Sequence, residues 1–357
     1  MKQRDRKKQQ QPQAGERLKN VRMPDLDALD DVREKAEFKS LRTAEKQQQK
    51  FKRATELIPG RILEVNTNYS YMVEAGGQLY TATLSGRLKQ FSYASKALSA
   101  VGDRVELDIS SDPHFRIENI LPRANTLSRY AEGNFQKEII LAANIDQVII
   151  TTSWRLPLIK PGLIDRYLCV AALEKIDPVI VINKIDLCED RAELEETTGY
   201  YRESGFPLLC TSVVSGEGME ELRALLKDKD SVFSGQSGTG KSSLINWLEP
   251  GLELRTAEVS DYNEKGRHTT TQAILRPWRF GGHLLDTPGI KTVNLHRDAK
   301  ADIPRVFPGF AELAERCRFR DCTHTHEEDC AVLEACEAER IPVERYESYL
   351  RILDSLS

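Results

Sequence analysis

The alternation of hydrophobic and polar residues changes character twice along this chain. From Gly60 to about Arg123 it runs in short period-two stretches: Arg61 to Val65, Tyr69 to Glu74, Leu79 to Leu84, Arg104 to Ile109 and Phe115 to Ile120. Period two is the pattern of a strand with one face buried. Gly76-Gly77 between the second and third stretches predicts a hairpin turn, and Gly102-Asp103 precedes the fourth. Five short strands in some 65 residues predict a small closed barrel such as an OB-fold.

After Asn125 the alternation gives way to strands and helices in turn. Gln147 to Thr151, Pro178 to Ile182 and Leu208 to Thr211 read as buried strands. Leu163 to Leu173 and Met219 to Leu226 read as amphipathic helices. Val232-Phe233, Ala273 to Arg276 and His283 to Leu285 add further strands. This succession predicts a mostly parallel sheet covered on both faces. The final periodic stretch, Ile341 to Leu353, predicts a helix with Tyr346, Tyr349, Leu350 and Leu353 on one side.

The strand at Val232-Phe233 empties into Gly235, Gln236, Ser237, Gly238, Thr239, Gly240, Lys241, Ser242, followed by Ser243 and an amphipathic helix through Leu248. The segment fits G-x-x-x-x-G-K-[ST] in a strand–loop–helix context, which marks a phosphate-binding loop. Glycines let successive N–H groups converge on phosphate oxygens, and the helix N-terminus adds positive charge. Lys241 is expected at the β- and γ-phosphates and Ser242 on Mg2+.

The strand ending at Ile182 leads into Asn183, Lys184, Ile185, Asp186. The carboxylate of Asp186 can accept two hydrogen bonds, and guanine offers a matching donor pair where adenine offers none. Asn183 would add an amide contact and the stem of Lys184 would cover the ring. Ser212 and Val213, after the next strand, would support the base. Downstream, Asp286 and Gly289 form D-x-x-G, expected to hold the Mg2+ shell and to sense the γ-phosphate. Between P-loop and D-x-x-G lies KGRHTTT, residues 265–271, whose Thr270 could add a hydroxyl to the metal. Base reading thus precedes the phosphate loop, a permuted order that moves the termini to another surface loop. Ile290 stands where many GTPases place a water-orienting Gln, so intrinsic hydrolysis is expected to be slow.

Composition narrows the picture. The 357 residues suffice for two or three domains, with 40% hydrophobic and 30% charged residues and a net charge of −4. RNA contact therefore has to come from local basic patches. The first 22 residues carry eight basic and two acidic groups and belong to a Gln-, Lys- and Glu-rich tail, residues 1–57, either an RNA-touching arm or a solvated tail. In the barrel, Arg87, Lys89, Lys96, Arg104 and Arg116 interleave with Tyr69, Tyr71, Tyr80, Phe91 and Tyr93, a mixture suited to single strands although barrel aromatics also form core. The opening stretch lacks the apolar run of a secretory signal, and its acids and glutamines suit an organellar presequence poorly. The cytoplasm is the expected compartment, and no run is apolar enough to span a bilayer.

Cys317, Cys322, His324 and Cys330 are spaced C-x4-C-x-H-x5-C. Three thiolates and an imidazole form a closed tetrahedral structural zinc set, with His326 as an alternative to His324. Cys169 and Cys188 read as ordinary core or near-core residues.

With LPRANTLSR, IDRYL, NKID, GQSGTGKSSL, KGRHTTT, DTPG, the cysteine–histidine set and RYESYL, residues 58 to 353 resemble the circularly permuted small-ribosomal-subunit biogenesis GTPases, the RsgA or YjeQ family. The resemblance implies an OB-fold that contacts ribosomal RNA, a P-loop GTPase stimulated by the small subunit and a zinc domain. It further implies a late checkpoint role in subunit maturation, and His268 in place of the missing Gln. Val213 departs from the alanine of the family's base-supporting motif, and the long tail lies outside the shared pattern.

The expected architecture is multi-domain: tail 1–57, OB-fold barrel 58–124, permuted α/β P-loop GTPase domain 125–298, and α-helical zinc domain 299–357. The expected activity is Mg2+-dependent GTP hydrolysis by a monomer. A GTP-gated RNA-binding module with incidental hydrolysis is the rival, favoured by Ile290. An ATP-dependent kinase would leave Asp186 without a role.

Overall fold

The structure, a computed structural model, describes residues 57–66, 70–92, 98–110, 113–130, 138–252, 273–286 and 295–356. The charged tail through residue 56, Tyr69, Tyr93, Lys96, His268, Thr270, Gly289 and Ile290 lie outside the described residues.

Strands β1 (Leu57–Asn66), β2 (Ser70–Ala75) and β3 (Gln78–Leu84) form an antiparallel meander. Gly76 and Gly77, with φ of 57° and 75°, make the tight turn between β2 and β3, where both central residues need left-handed backbone. A short helix, α1 (Gly86–Ser92), separates β3 from β4 (Arg104–Asp108) and β5 (Phe115–Ile120). β5 pairs parallel with β3 and antiparallel with β4, and β4 returns to β1. These pairings close the expected barrel and give both ends of the five-strand run a partner. Ile62, Tyr71, Val73, Leu107 and Ile117 fill it. Tyr71, with 1% of its surface exposed, is therefore core and not a stacking platform.

A hairpin absent from the sequence expectations, β6 (Thr126–Tyr130) with β7 (Glu138–Ala143), joins barrel to sheet. Leu127 and Ala142 sink into the central core. Asn144 donates to the Gly102 carbonyl at 3.0 Å and accepts from the Ala124 amide at 2.9 Å. Gly102 is required there: a Cβ would lie 2.0 Å from the carbonyl oxygen of Ala143.

The central sheet follows, with β8 (Gln147–Ser153), α2 (Pro161–Glu174), β9 (Asp177–Asn183), α3 (Arg191–Glu203), β10 (Leu208–Cys210), α4 (Met219–Leu226), β11 (Lys229–Ser234), α5 (Lys241–Leu248), β12 (Ile274–Pro277) and β13 (Gly282–Asp286). Strand order is β10-β9-β8-β11-β13-β12, all parallel except β12. Ile150, Ile180 and Ile182 face one core and Ile149, Val179 and Val181 the other, as a doubly covered sheet demands. β8 leads outward to β9 and β10 on one side and β11 to β13 and β12 on the other, so the winding reverses between β8 and β11, where sheets of this kind bind ligands at the strands' C-terminal ends. β12 also meets β1 of the barrel, at Ile274 opposite Glu64.

The C-terminal segment is built of short helices: α6 (Ile303–Val306), α7 (Ala311–Ala314), α8 (Ala331–Glu337) and the longer α9 (Val343–Ser355). Phe307, Phe310, Val332 and Tyr349 form its core together with Cys169 and Val170 of α2. Of the expected stripe on α9, Tyr349 and Leu353 are buried and Tyr346 and Leu350 only half-buried, while Arg345, Ser348 and Ile352 complete the buried face. One Arg345 nitrogen donates to both oxygens of Asp165, at 3.0 and 2.9 Å, and the Tyr201 hydroxyl donates to the same carboxylate at 2.9 Å. Among the described residues no helix is long and apolar enough to cross a membrane.

Candidate functional site

The glycine-rich loop leaves β11 at Gly235 (φ +145°), where a Cβ would lie 2.0 Å from the Thr151 carbonyl oxygen of β8. Such crowding admits only glycine. Ser237 and Gly238 are exposed at the tip, Thr239 is buried, and Gln236 accepts from the Thr239 hydroxyl at 2.9 Å. Lys241 begins α5, with Ser242 and Ser243 beside it in the first turn. The Lys241 ammonium donates to the carbonyls of Gly235 and Gln236 at 2.7 and 2.8 Å. Burial pulls its pKa below the usual lysine value.

The loop meets the end of β9. Asn183, itself buried, donates through Nδ2 to the Thr239 carbonyl at 2.9 Å and accepts from the Thr211 hydroxyl at 3.3 Å. Gly240 (φ +90°) makes this approach possible, since a Cβ there would stand 2.3 Å from Asn183 Nδ2. Lys184, in left-handed backbone, reaches over the loop to the Gly238 carbonyl at 2.8 Å and to that of Leu156. Asp186 is exposed, and the Ser212 hydroxyl donates to its Oδ1 at 2.5 Å. Ser212 Oγ in turn accepts from the amides of Val214 and Ser215 at 3.2 and 3.1 Å, which fixes the direction of its one proton. Val213 is half-buried and packs into the apolar layer under α4 and α5, so its larger side chain serves packing. Asp286 ends β13, beside β11, and accepts from Arg276 Nε at 3.1 Å.

The structure thus gathers Asn183, Lys184, Asp186, Ser212 and residues 235–243 at one end of the sheet, with Asp286 on the neighbouring strand. Sequence reasoning missed Leu156 and Arg276. Leu156 contributes a backbone carbonyl, which no side-chain pattern reports. Arg276 looks like an ordinary strand residue until the β12–β13 register is known.

The second cluster is Cys317, Cys322, His324 and Cys330, whose ligand atoms all lie within 4.8 Å of one another. His324 Nδ1 is 3.6 Å from Cys317 Sγ and 3.3 Å from Cys330 Sγ. Its other ring nitrogen faces the Pro304 carbonyl at 3.2 Å. A proton on Nε2 satisfies that contact and leaves the Nδ1 lone pair aimed at the thiols, the usual state of a metal-ligating imidazole. His326 is exposed and bonded to Thr325, so the alternative ligand set is not assembled. Burial pushes the Cys322 thiol up to about 12 and lowers the His324 imidazole. The group can hold a metal ion.

Glu327 braces this loop. Its carboxylate accepts from the Thr323 amide and hydroxyl, both at 2.6 Å, and from the Thr325 and His326 amides at 3.0 and 3.2 Å. Burial alone would raise its pKa, but these bonds, the Thr323 hydroxyl foremost, outweigh it and hold the carboxyl far below the ordinary range.

Among the barrel's candidate RNA contacts, Lys89, Arg104 and Arg116 are exposed, and Arg87 is spent on the Glu118 carbonyl and Asn119, each at 2.6 Å. Tyr80 is half-buried, edge-on to Phe115 with centroids 5.0 Å apart.

Residues 120–296 match the sequence profile described as RsgA GTPase. The small ribosomal subunit biogenesis GTPase RsgA of Gemmatimonas aurantiaca is 41% identical over 282 residues, spanning 78% of this chain and 91% of that protein. The chain belongs to the RsgA GTPase family. The RsgA of Chlorobaculum tepidum is 40% identical over 312 residues, 85% of this chain and 99% of its own. Among solved structures, YjeQ from Thermotoga maritima superposes with a TM-score of 0.70 at 32% identity, covering 84% of this chain and 98% of that one. YloQ, described as a circularly permuted GTPase, gives a TM-score of 0.65 at 25% identity and covers 84% and 95%. The family therefore agrees with the motif order read from the sequence, and with the permuted sheet that carries it.

Proposed function

We propose that this chain is a Mg2+-dependent GTPase of late small-subunit maturation, which binds ribosomal RNA and hydrolyses GTP to GDP and phosphate when the subunit stimulates it. The observation that supports this most is the bond from Asn183 to Thr239, because it joins the segment proposed to read the base to the loop proposed to hold the phosphates. Asp186, oriented by Ser212, accepts from guanine, and the stem of Lys184 covers the base. Backbone amides of residues 235–243 cradle the phosphates, and the Lys241 ammonium exchanges two carbonyls for phosphate oxygens. It then stabilises charge on the transferring phosphoryl group. Ser242, Thr270 and Asp286 are the residues that would hold magnesium, whose chemistry is to neutralise charge on the β- and γ-oxygens. Gly289 senses the γ-phosphate, and His268 orients the attacking water in place of the side chain that Ile290 lacks.

The domains follow the boundaries 58–124, 125–298 and 299–357, with the barrel on RNA. The Cys3His group takes one structural zinc ion, since its thiols and imidazole leave no position open. The partners are the small subunit and its RNA, the compartment is the cytoplasm, and the chain acts as a monomer.

Single-turnover GTP hydrolysis with and without isolated small subunits tests this reading. A rate that rises on the subunit supports the enzyme. An unchanged rate, with nucleotide-dependent co-sedimentation, favours the rival, a GTP-gated RNA-binding module.

A further inference from the structure

We propose that Arg276 is a positioning residue that sets how much magnesium the nucleotide site requires, by competing for the carboxylate of Asp286; the inference rests on the GTPase reading above. β12 and β13 run antiparallel with Ile274 opposite Asp286 and Arg276 opposite Leu284. Arg276 and Asp286 are thus diagonal neighbours on one face, within reach of a long side chain. The contact is a single bond from Nε to Oδ2 at 3.1 Å, longer than the roughly 2.7–2.9 Å of a strong charge-assisted pair. The side chains are 42% and 30% exposed. A long, exposed, monodentate pair contributes little to folding and is easily released.

Its consequence is electrostatic. The guanidinium neutralises the carboxylate that the D-x-x-G motif offers to a magnesium ion, and two cations cannot share it without repulsion. Arg276 must give up Asp286 before that carboxylate is fully available. The restraint also stands on a joint, because β12 is the strand whose Ile274 meets Glu64 of the barrel.

The test is equilibrium binding of a fluorescent, non-hydrolysable GTP analogue to the full chain across a magnesium titration. For Arg276→Met, and equally for Arg276→Gln, the magnesium concentration giving half-maximal binding should fall about tenfold, the scale of groups just outside a metal's own ligands. Arg276→Lys, which keeps the charge, should move it by less than about threefold. A midpoint for Arg276→Met within about twofold of the parent, or one moved to higher magnesium, overturns the proposal alone. Should the parent fail to hold the analogue, or hold it with no magnesium dependence, the GTPase reading falls and takes this inference with it.

Discussion

The side-chain amide of Asn183 donates to the Thr239 carbonyl across 2.9 Å, although 56 residues of chain separate the two. This bond links a motif that can read a base to a loop that can hold phosphates. It depends on Gly240, the residue after Thr239, having no side chain.

Gly240→Ala therefore sets a Cβ against Asn183 Nδ2 in a backbone conformation that alanine resists. We expect loss of most GTP affinity and a destabilisation of about 1–3 kcal/mol. Isothermal titration with GTP and a thermal melt measure the two effects. Ordinary affinity in the variant would mean that the two segments need not meet.

Arg345 and Asp165 form a buried pair between α9 and α2, with exposures of 9% and 0%. Arg345→Met alone strands the carboxylate and should cost about 3–5 kcal/mol in urea denaturation. Pairing it with Asp165→Leu should recover most of that loss. A double variant no better than the single one would contradict the view that the unpaired charge is the cost.

The carboxyl of Glu327 has a folded pKa depressed below its unfolded value. Its contribution is thus present above the unfolded pKa and is lost as pH falls toward the folded one. Glu327→Gln should lower stability by a constant amount from pH 8 to about 5, with the gap to the parent narrowing below about pH 4. Urea midpoints across that range give the profile, and a gap that widened with acid would reverse the assigned sign.

Elemental analysis should find about one zinc per chain, and Cys322→Ser should abolish it while lowering the melting temperature. Because bound thiols must shed their protons, metal retention should fall with acid. Purified parent without stoichiometric metal would remove the assignment.

Which parts of this molecule were legible in its sequence follows from how local each constraint is. The phosphate loop announces itself because Gly235, Gly240 and Lys241 are each required by backbone crowding or charge within eight residues of chain. The cysteine–histidine set was readable from spacing, and the structure chose His324 over His326. Helix α3 was not readable. Its buried positions, Leu194, Thr198, Gly199 and Tyr201, include only two large nonpolar-type side chains, so the apolar period is missing. Tyr201 is buried because Asp165 and Arg345 come to it from distant segments. The β6–β7 hairpin was hidden likewise, its burial created by neighbours from barrel and sheet. Tyr71 shows the converse, an aromatic whose meaning was settled only when the barrel closed around it.

The central claim is that Asp186 reads guanine in the crevice whose phosphates Lys241 holds. Titrating the parent and Asp186→Asn with GTP and XTP tests it most directly. The account predicts that the substitution weakens GTP and strengthens XTP, each by at least about tenfold, because one hydrogen-bond partner is exchanged for another. Equal GTP affinity in both proteins would contradict it.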